Sequence, residues 1–126
     1  MARILIVDDE ELDRRLGQLI LERAGHSTFF ASNGEEALDV YRFARIDVVI
    51  TDLQMPGMHG LELITVLRDL VPRPVIIATS CTGQAQLDIA RAIGADATLT
   101  KPVDPGKLLT TVAMAVTDED GELEVG

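Results

Sequence analysis

Five short runs rich in β-branched residues alternate along this sequence with stretches of helical periodicity. The runs span Ile4 to Val7, Ser27 to Ala31, Asp47 to Thr51, Pro74 to Thr79 and Ala97 to Thr100. Strands joined by helical connections pair in parallel, so the alternation predicts an α/β fold in which helices cover both faces of a parallel sheet. Ten elements in a chain of 126 residues leave no space for a second domain.

Local signals indicate where the first two helices begin and end. The first helix is marked by apolar residues at helical spacing, namely Leu12, Leu16, Leu19 and Ile20. Gly25 is expected to end it, because glycine readily takes the left-handed conformation found after helices. The second helix is expected to begin at a capping box, made either of Ser32 with Glu35 or of Asn33 with Glu36.

The remaining helices fill the second half of the chain. We expect the third from about Gly60 to Leu70, the fourth from roughly Gly83 to Ile93, and the fifth after Asp104 and Pro105, an N-cap followed by proline. The segment TDEDGELEVG, from Thr117 on, is acidic and aperiodic. Residues 1–117 are therefore predicted to form the domain, and residues 118–126 an acidic C-terminal tail or linker remnant.

Composition excludes several classes of partner. The 11 basic and 21 acidic side chains give a formal charge of -10, which repels nucleic acid and anionic membranes alike. The only cysteine, Cys81, cannot form an intramolecular disulfide, and no apolar run is long enough to span a membrane. We therefore expect a cytoplasmic protein that contacts neither nucleic acid nor membrane directly.

Polar residues follow or end four of the predicted strands. The first strand ends in Asp8 and Asp9, the third in Asp52, the fourth in Thr79, and the fifth is followed by Lys101. In an open parallel sheet, functional groups gather at the carboxyl ends of the strands. These residues are therefore expected to meet at one edge.

This set of residue types indicates a particular chemistry. Three close carboxylates raise one another's pKa unless a cation neutralises them, and oxygen ligands with water are typical of Mg²⁺. Lys101 can pair with Asp52 and then with a phosphoryl group placed there, while the Thr79 hydroxyl donates another hydrogen bond. Asp52 is thus predicted to be a nucleophile in phosphoryl transfer.

Four segments carry a resemblance to a known family. They read ILIVDDE, DVVITDLQMPGMHGLELI, PVIIATS and LTKPV. In this order and spacing the chain resembles a response-regulator receiver domain of the chemotaxis-regulator type over residues 3–117. The resemblance implies a doubly wound, five-stranded, flavodoxin-like fold with strand order 2-1-3-4-5.

The resemblance also implies roles for the metal ligands. Asp52 is the expected phospho-acceptor and a Mg²⁺ ligand, Asp9 a direct ligand, and Asp8 a ligand through water. The backbone carbonyl of Gln54 is the remaining protein ligand. The turn Met55-Pro56-Gly57 would direct that carbonyl toward the metal.

Two further residues receive roles from the resemblance. Thr79 is the expected switch hydroxyl, and Lys101 the phosphoryl-binding lysine in a cis bond to Pro102. Thr98 departs from the family, in which an aromatic ring commonly stands three residues before the lysine. We expect the surface made by helix 4, strand 5 and helix 5 to respond instead through Thr79 and the loop that follows it.

The resemblance implies a signalling switch that accepts a phosphoryl group from a sensor histidine kinase or a histidine phosphotransfer protein. It would catalyse only its own phosphorylation and autodephosphorylation. Its output would be an unknown protein, a lost C-terminal effector domain, or a phosphorylation-dependent homodimer.

Two alternatives stay open. The first is a docking module that works without phosphorylation. The second is a Mg²⁺-dependent phosphohydrolase with an Asp nucleophile. Such enzymes generally have a second carboxylate two residues after the nucleophile, where this chain has Gln54.

Overall fold

The computed structural model of this protein describes residues 1–55 and 57–125, with side chains described as far as residue 116. Five strands alternate with five helices in the described ranges. In chain order they are β1 Arg3–Val7, α1 Glu11–Arg23, β2 Ser27–Ala31, α2 Gly34–Phe43, β3 Val48–Asp52, α3 Gly60–Leu67, β4 Val75–Ser80, α4 Gln84–Ile93, β5 Ala97–Thr100 and α5 Pro105–Val125. None of the helices in the described ranges is long and apolar enough to cross a membrane.

The five strands form one parallel sheet in the order β2-β1-β3-β4-β5. The predicted α/β class and the strand order implied by the resemblance are both confirmed. All five residues of β3 are buried, because this strand lies at the centre of the sheet with helices over both faces. Asp52 at its end pairs in register with Thr79 of β4. The register therefore places these two side chains at the same edge.

Two apolar clusters hold the helices on opposite faces of the sheet. One cluster packs α2, α3 and α4 on one face, with Leu63, Ile64, Leu67 and Leu87 fully buried. The other packs α1 and α5 on the second face, through Leu21, Leu108 and Val112. Each face thus has its own core.

The apolar stripe that indicated α1 is only partly buried, because Ile20 packs against the second cluster while the three leucines of the stripe are exposed. Leu12, Leu16 and Leu19 are 80%, 52% and 50% exposed, whereas Leu21 is fully buried. Gly17, four residues before Leu21, faces the sheet so closely that an added Cβ would lie 3.2 Å from Ile6 Cδ1. The helical period of α1 was therefore predicted correctly, whereas the spacing alone did not identify the face through Gly17 and Leu21 that packs against the sheet.

The ends of the other helices follow local chemistry. Asn33, not Ser32, caps α2, because its Oδ1 accepts the backbone N–H of Glu36 at 2.8 Å. The third helix ends at Leu67, three residues earlier than expected. Asp104 Oδ2 accepts the N–H of Lys107 at 2.9 Å at the start of α5, as predicted.

Two predictions concern residues only partly described. The helical backbone of α5 runs past residue 117 to Val125, so the segment predicted to be an acidic tail or linker remnant has a helical backbone up to that point. The side chains of 117–125 are outside the described part, and the boundary between domain and tail stays a prediction. Pro56, in the predicted turn before α3, also lies outside the described residues.

Candidate functional site

Three carboxylates meet at the carboxyl edge of the sheet. Asp8 follows β1, Asp9 is its neighbour, and Asp52 ends β3. Each offers one oxygen, and these three oxygens all lie within 4.8 Å of one another. Asp8 and Asp52 are each only 5% exposed, whereas Asp9 is exposed to solvent. The structure thus brings the predicted acidic residues together, with one of them open to incoming ligands.

Lys101 extends into this cluster from the segment after β5. Its Nζ lies 2.6 Å from Asp8 Oδ2, 3.1 Å from Asp13 Oδ2 and 3.2 Å from Asp52 Oδ2. The bond from Lys101 to Pro102 is cis, as the resemblance implied. A backbone hydrogen bond of 2.9 Å from Lys101 N–H to the Ser80 carbonyl fixes this segment against β4. The ammonium is therefore presented to the acids by two neighbouring strands.

The pKa values of Asp52 and Lys101 follow from their burial and from the charges around them. Burial raises the pKa of the Asp52 carboxyl above its ordinary value, and the Asp8 charge adds to this effect. The N–H of Gln54 and the Lys101 ammonium lower the pKa of Asp52 without cancelling the effect of burial. Burial alone would lower the pKa of Lys101, but Asp8 and Asp52 outweigh it and hold that pKa above its usual range. Lys101 is consequently charged at neutral pH.

Two residues of α1 belong to the site although the sequence analysis missed them. Asp13 is the third carboxylate on Lys101, and Arg14 Nη1 donates to the Asp8 carbonyl at 2.6 Å. Asp13 lies in the first turn of α1, where acidic residues commonly stabilise the helix dipole. Its sequence position therefore carried no signal that distinguished a site residue from an ordinary first-turn acid.

Thr79 is buried beside Asp52, with its hydroxyl 3.5 Å from the Thr51 carbonyl. At this separation the hydrogen bond is weak, so the hydroxyl can exchange it for a better acceptor at little cost. Thr79 also fixes the segment after β3, because its carbonyl accepts the N–H of Leu53 at 3.0 Å.

A small network of polar side chains joins the segments after β3 and β4. The Ser80 hydroxyl lies 3.1 Å from Gln54 Oε1 and 2.9 Å from Thr82 Oγ1, and Gln54 Nε2 donates to Thr82 Oγ1 at 3.2 Å. The Gln54 N–H lies 3.2 Å from Asp52 Oδ1. The side chain of Gln54 thus faces Ser80 and Thr82, while the role predicted for its backbone carbonyl stays a prediction.

The loop between β3 and α3 is held from two directions. Glu35 Oε1, in the first turn of α2, accepts the Met58 N–H at 2.7 Å. Gly60 begins α3 so close to β3 that an added Cβ would overlap the Asp52 carbonyl oxygen and lie 2.7 Å from Leu53 Cα. The absence of a side chain at Gly60 therefore allows Asp52 to occupy its position.

Thr98 lies half-buried in β5, where receivers commonly carry an aromatic ring. It lines a surface groove between β5, α4 and α5, together with Arg91 and Met114. Met114 is 62% exposed at this groove. The expected output surface thus has an open groove at the position where receivers commonly carry a packed aromatic ring.

Comparisons with known proteins agree with this geometry. The family model of the response regulator receiver domain matches residues 4–113. The chain is 36% identical over 116 residues to the sensory/regulatory protein RpfC of Xanthomonas campestris pv. campestris, covering 88% of this chain and 16% of that protein. It is 33% identical over 112 residues to the polar-differentiation response regulator DivK of Brucella anthropi, covering 86% of this chain and 91% of DivK.

A solved structure shows the same fold. The chemotaxis response regulator CheY4 of Vibrio cholerae aligns with a TM-score of 0.83 and 33% identity, over 91% of this chain and 98% of that one. The chain therefore spans a small part of RpfC and nearly all of DivK and CheY4.

Proposed function

Because this chain belongs to the response regulator receiver domain family, we propose that it is a phosphorylation-activated signalling switch of a two-component system. Receiver domains are signalling domains, and the relatives of this chain are bacterial regulators. One observation carries the proposal: the buried Asp52 lies within a cluster of three carboxylates and 3.2 Å from the Lys101 ammonium. Such a site suits a carboxylate nucleophile whose negative charge is offset by a fixed cation.

The proposed reaction is transfer of a phosphoryl group from a phosphohistidine to Asp52. A carboxylate oxygen of Asp52 bonds to phosphorus while the bond from phosphorus to the histidine nitrogen breaks, and the histidine ring, which already carries a proton on its other nitrogen, departs as neutral imidazole. Lys101 and the Thr79 hydroxyl would then hydrogen-bond to the phosphoryl oxygens. Hydrolysis of the resulting acyl phosphate would return the switch to its resting state.

The donor set fits Mg²⁺. Asp8, Asp9 and Asp52 offer only hard oxygen atoms, and no described histidine or cysteine joins them. When bound, the ion would neutralise negative charge on the transferring phosphoryl group. The exposed position of Asp9 leaves room for water in the coordination sphere.

The proposed donor is a sensor histidine kinase or a histidine phosphotransfer protein. Apolar surface beside the site supports a protein donor, because Leu12 and Leu16 of α1 are 80% and 52% exposed. Leu16 also lines a groove of about 320 Å³ that extends to Asp8 and Lys101. Exposed apolar residues next to a reactive group are typical of a protein interaction site.

The proposed output surface comprises α4, β5 and α5. Thr98 lacks a ring that can turn inward, so the signal would pass from Thr79 through Ser80 and the following loop to α4. The receiving group would be a separate protein, an attached effector domain, or a second copy of this chain upon phosphorylation.

The phosphohydrolase alternative is less well supported by the site. Gln54 stands two residues after Asp52, and an amide cannot serve as a general acid or base. Its side chain is also engaged by Ser80 and Thr82. The third interpretation, a docking module that works without phosphorylation, predicts that no phosphoryl adduct forms.

Intact mass measurement tests the proposal. We expect wild-type protein incubated with acetyl phosphate and Mg²⁺ to gain one phosphoryl group, and none when EDTA removes the metal, because unneutralised carboxylates repel the donor. Hydroxylamine should remove the adduct, as expected for an acyl phosphate. An adduct that forms equally well in EDTA, or that resists hydroxylamine, would contradict the proposed chemistry.

A further inference from the structure

The Lys101 ammonium has three hydrogens, and three carboxylates lie within hydrogen-bonding distance of it. Asp8, Asp13 and Asp52 supply these acceptors at 2.6, 3.1 and 3.2 Å. A phosphoryl oxygen arriving at Asp52 therefore competes with at least one of them. Phosphorylation requires that some existing partner of Lys101 give way.

The three partners differ in how readily they can leave. The Asp8 side chain is 7% exposed, makes the shortest contact, and also accepts the Glu10 N–H at 2.9 Å. Asp52 is the residue that would be modified, so it stays beside Lys101 and its phosphoryl oxygens are additional acceptors for the ammonium. The Asp13 side chain is 47% exposed, and water can replace the ammonium there at small cost. Asp13 is thus the partner that can be exchanged.

We propose that Asp13 is a positioning residue that holds Lys101 against α1 in the resting state and releases it to the phosphoryl group. The inference rests on the proposed function and adds a regulatory contact to the same site. Asp13 and the phosphoryl group compete for one cation, so the strength of the contact from Lys101 to Asp13 sets how readily the phosphorylated state forms.

The exchange also connects the site to the surface of α1. Asp13 lies between Leu12 and Leu16 along the helix, both of which are exposed. When phosphorylation breaks the ion pair between Asp13 and Lys101, the negative charge of Asp13 is no longer neutralised on this part of α1. By linkage, a partner that binds α1 and draws Asp13 away from Lys101 favours phosphorylation to the same degree.

Binding of beryllofluoride with Mg²⁺, a stable mimic of the phosphoryl group, tests the exchange. Asp13→Asn keeps the shape of the side chain and removes its charge, so we expect beryllofluoride to bind about twofold to fivefold more tightly than to wild type. Glu11→Gln is the matched control, because Glu11 is the other acid of the same turn and pairs with Arg15 at 3.1 Å. Asp13→Glu, which restores the charge, should bind nearly as wild type does.

A spectroscopic measurement separates a specific contact from a general effect of charge. In wild type, beryllofluoride should shift the Lys101 ammonium resonance and the backbone amides around Asp13. In Asp13→Asn, the amide shifts should be much smaller. Equal affinities for Asp13→Asn and wild type, or equal gains for Asp13→Asn and Glu11→Gln, would overturn the proposed exchange while leaving the proposed function intact. Absence of beryllofluoride binding to wild type would overturn both.

Discussion

Asp52→Asn is expected to eliminate the phosphoryl adduct that wild type forms with acetyl phosphate and Mg²⁺. The amide has the size of the carboxylate but is not a nucleophile. Asp8 also contacts Lys101, but neither Asp8 nor Asp9 combines such a contact with a position in register with Thr79, as Asp52 does. Intact mass after equal incubation measures the result. An adduct of similar yield on Asp52→Asn would show that another residue accepts the phosphoryl group.

The same variant should be no less stable than wild type when Mg²⁺ is absent. The pKa of the Asp52 carboxyl is raised by burial above its ordinary value of 3.8, so the folded state binds this proton more tightly than the unfolded state. Below pH 3.8 the carboxyl is protonated in both the folded and the unfolded state, so its burial as an anion does not lower the free energy of unfolding. As the pH rises through the raised pKa, ionisation destabilises the folded wild type.

Urea unfolding at several pH values tests whether ionisation of Asp52 destabilises the folded protein. The free energy of unfolding of Asp52→Asn should exceed that of wild type at pH 7, and the difference should narrow as the pH is lowered toward 4. The remaining partners of Lys101, Asp8 and Asp13, keep the ammonium paired in the variant. A difference that grows on acidification would mean that the ion pair of Asp52 with Lys101 outweighs burial.

Gly60→Ala is expected to destabilise the fold by about 3 kcal/mol and to weaken Mg²⁺ binding. The added Cβ would overlap the carbonyl oxygen of Asp52 and approach Leu53 Cα to 2.7 Å, and both are backbone atoms that cannot rotate away. Relief requires that α3 or the end of β3 move, which displaces the Asp52 carboxylate. Urea unfolding and a Mg²⁺ titration measure the two effects.

Gly17→Ala is the control for the effect of adding a methyl group to a glycine at a helix. Its Cβ would lie 3.2 Å from Ile6 Cδ1, the flexible end of a side chain that can shift by a few tenths of an ångström. Alanine also favours the helix over glycine by about 1 kcal/mol, so stability should be unchanged or increased. Equal losses for the two variants would refute the backbone overlap as the cause.

Much of the fold was predictable because strand and helix signals are local. The β-branched run ending at Asp52 predicted a fully buried strand, and all five residues of β3 are buried. The order of the strands was not available from periodicity, since the same alternation fits several parallel topologies, and it came from the resemblance. The buried face of α1 was not available from the spacing, because the leucines that mark the helical period, including Leu12, are exposed while Gly17 and Leu21 pack against the sheet.

The sequence by itself determined which residues end the strands, and therefore that Asp8, Asp9, Asp52, Thr79 and Lys101 would share one edge of a parallel sheet. This follows from the rule that parallel strands end on the same side, which needs only local element assignment. Only the tertiary structure decided that Asp13 is the third partner of Lys101, 88 residues away along the chain. The rotation of α1 about its axis and the reach of a flexible lysine fix that contact, and both depend on packing between distant segments.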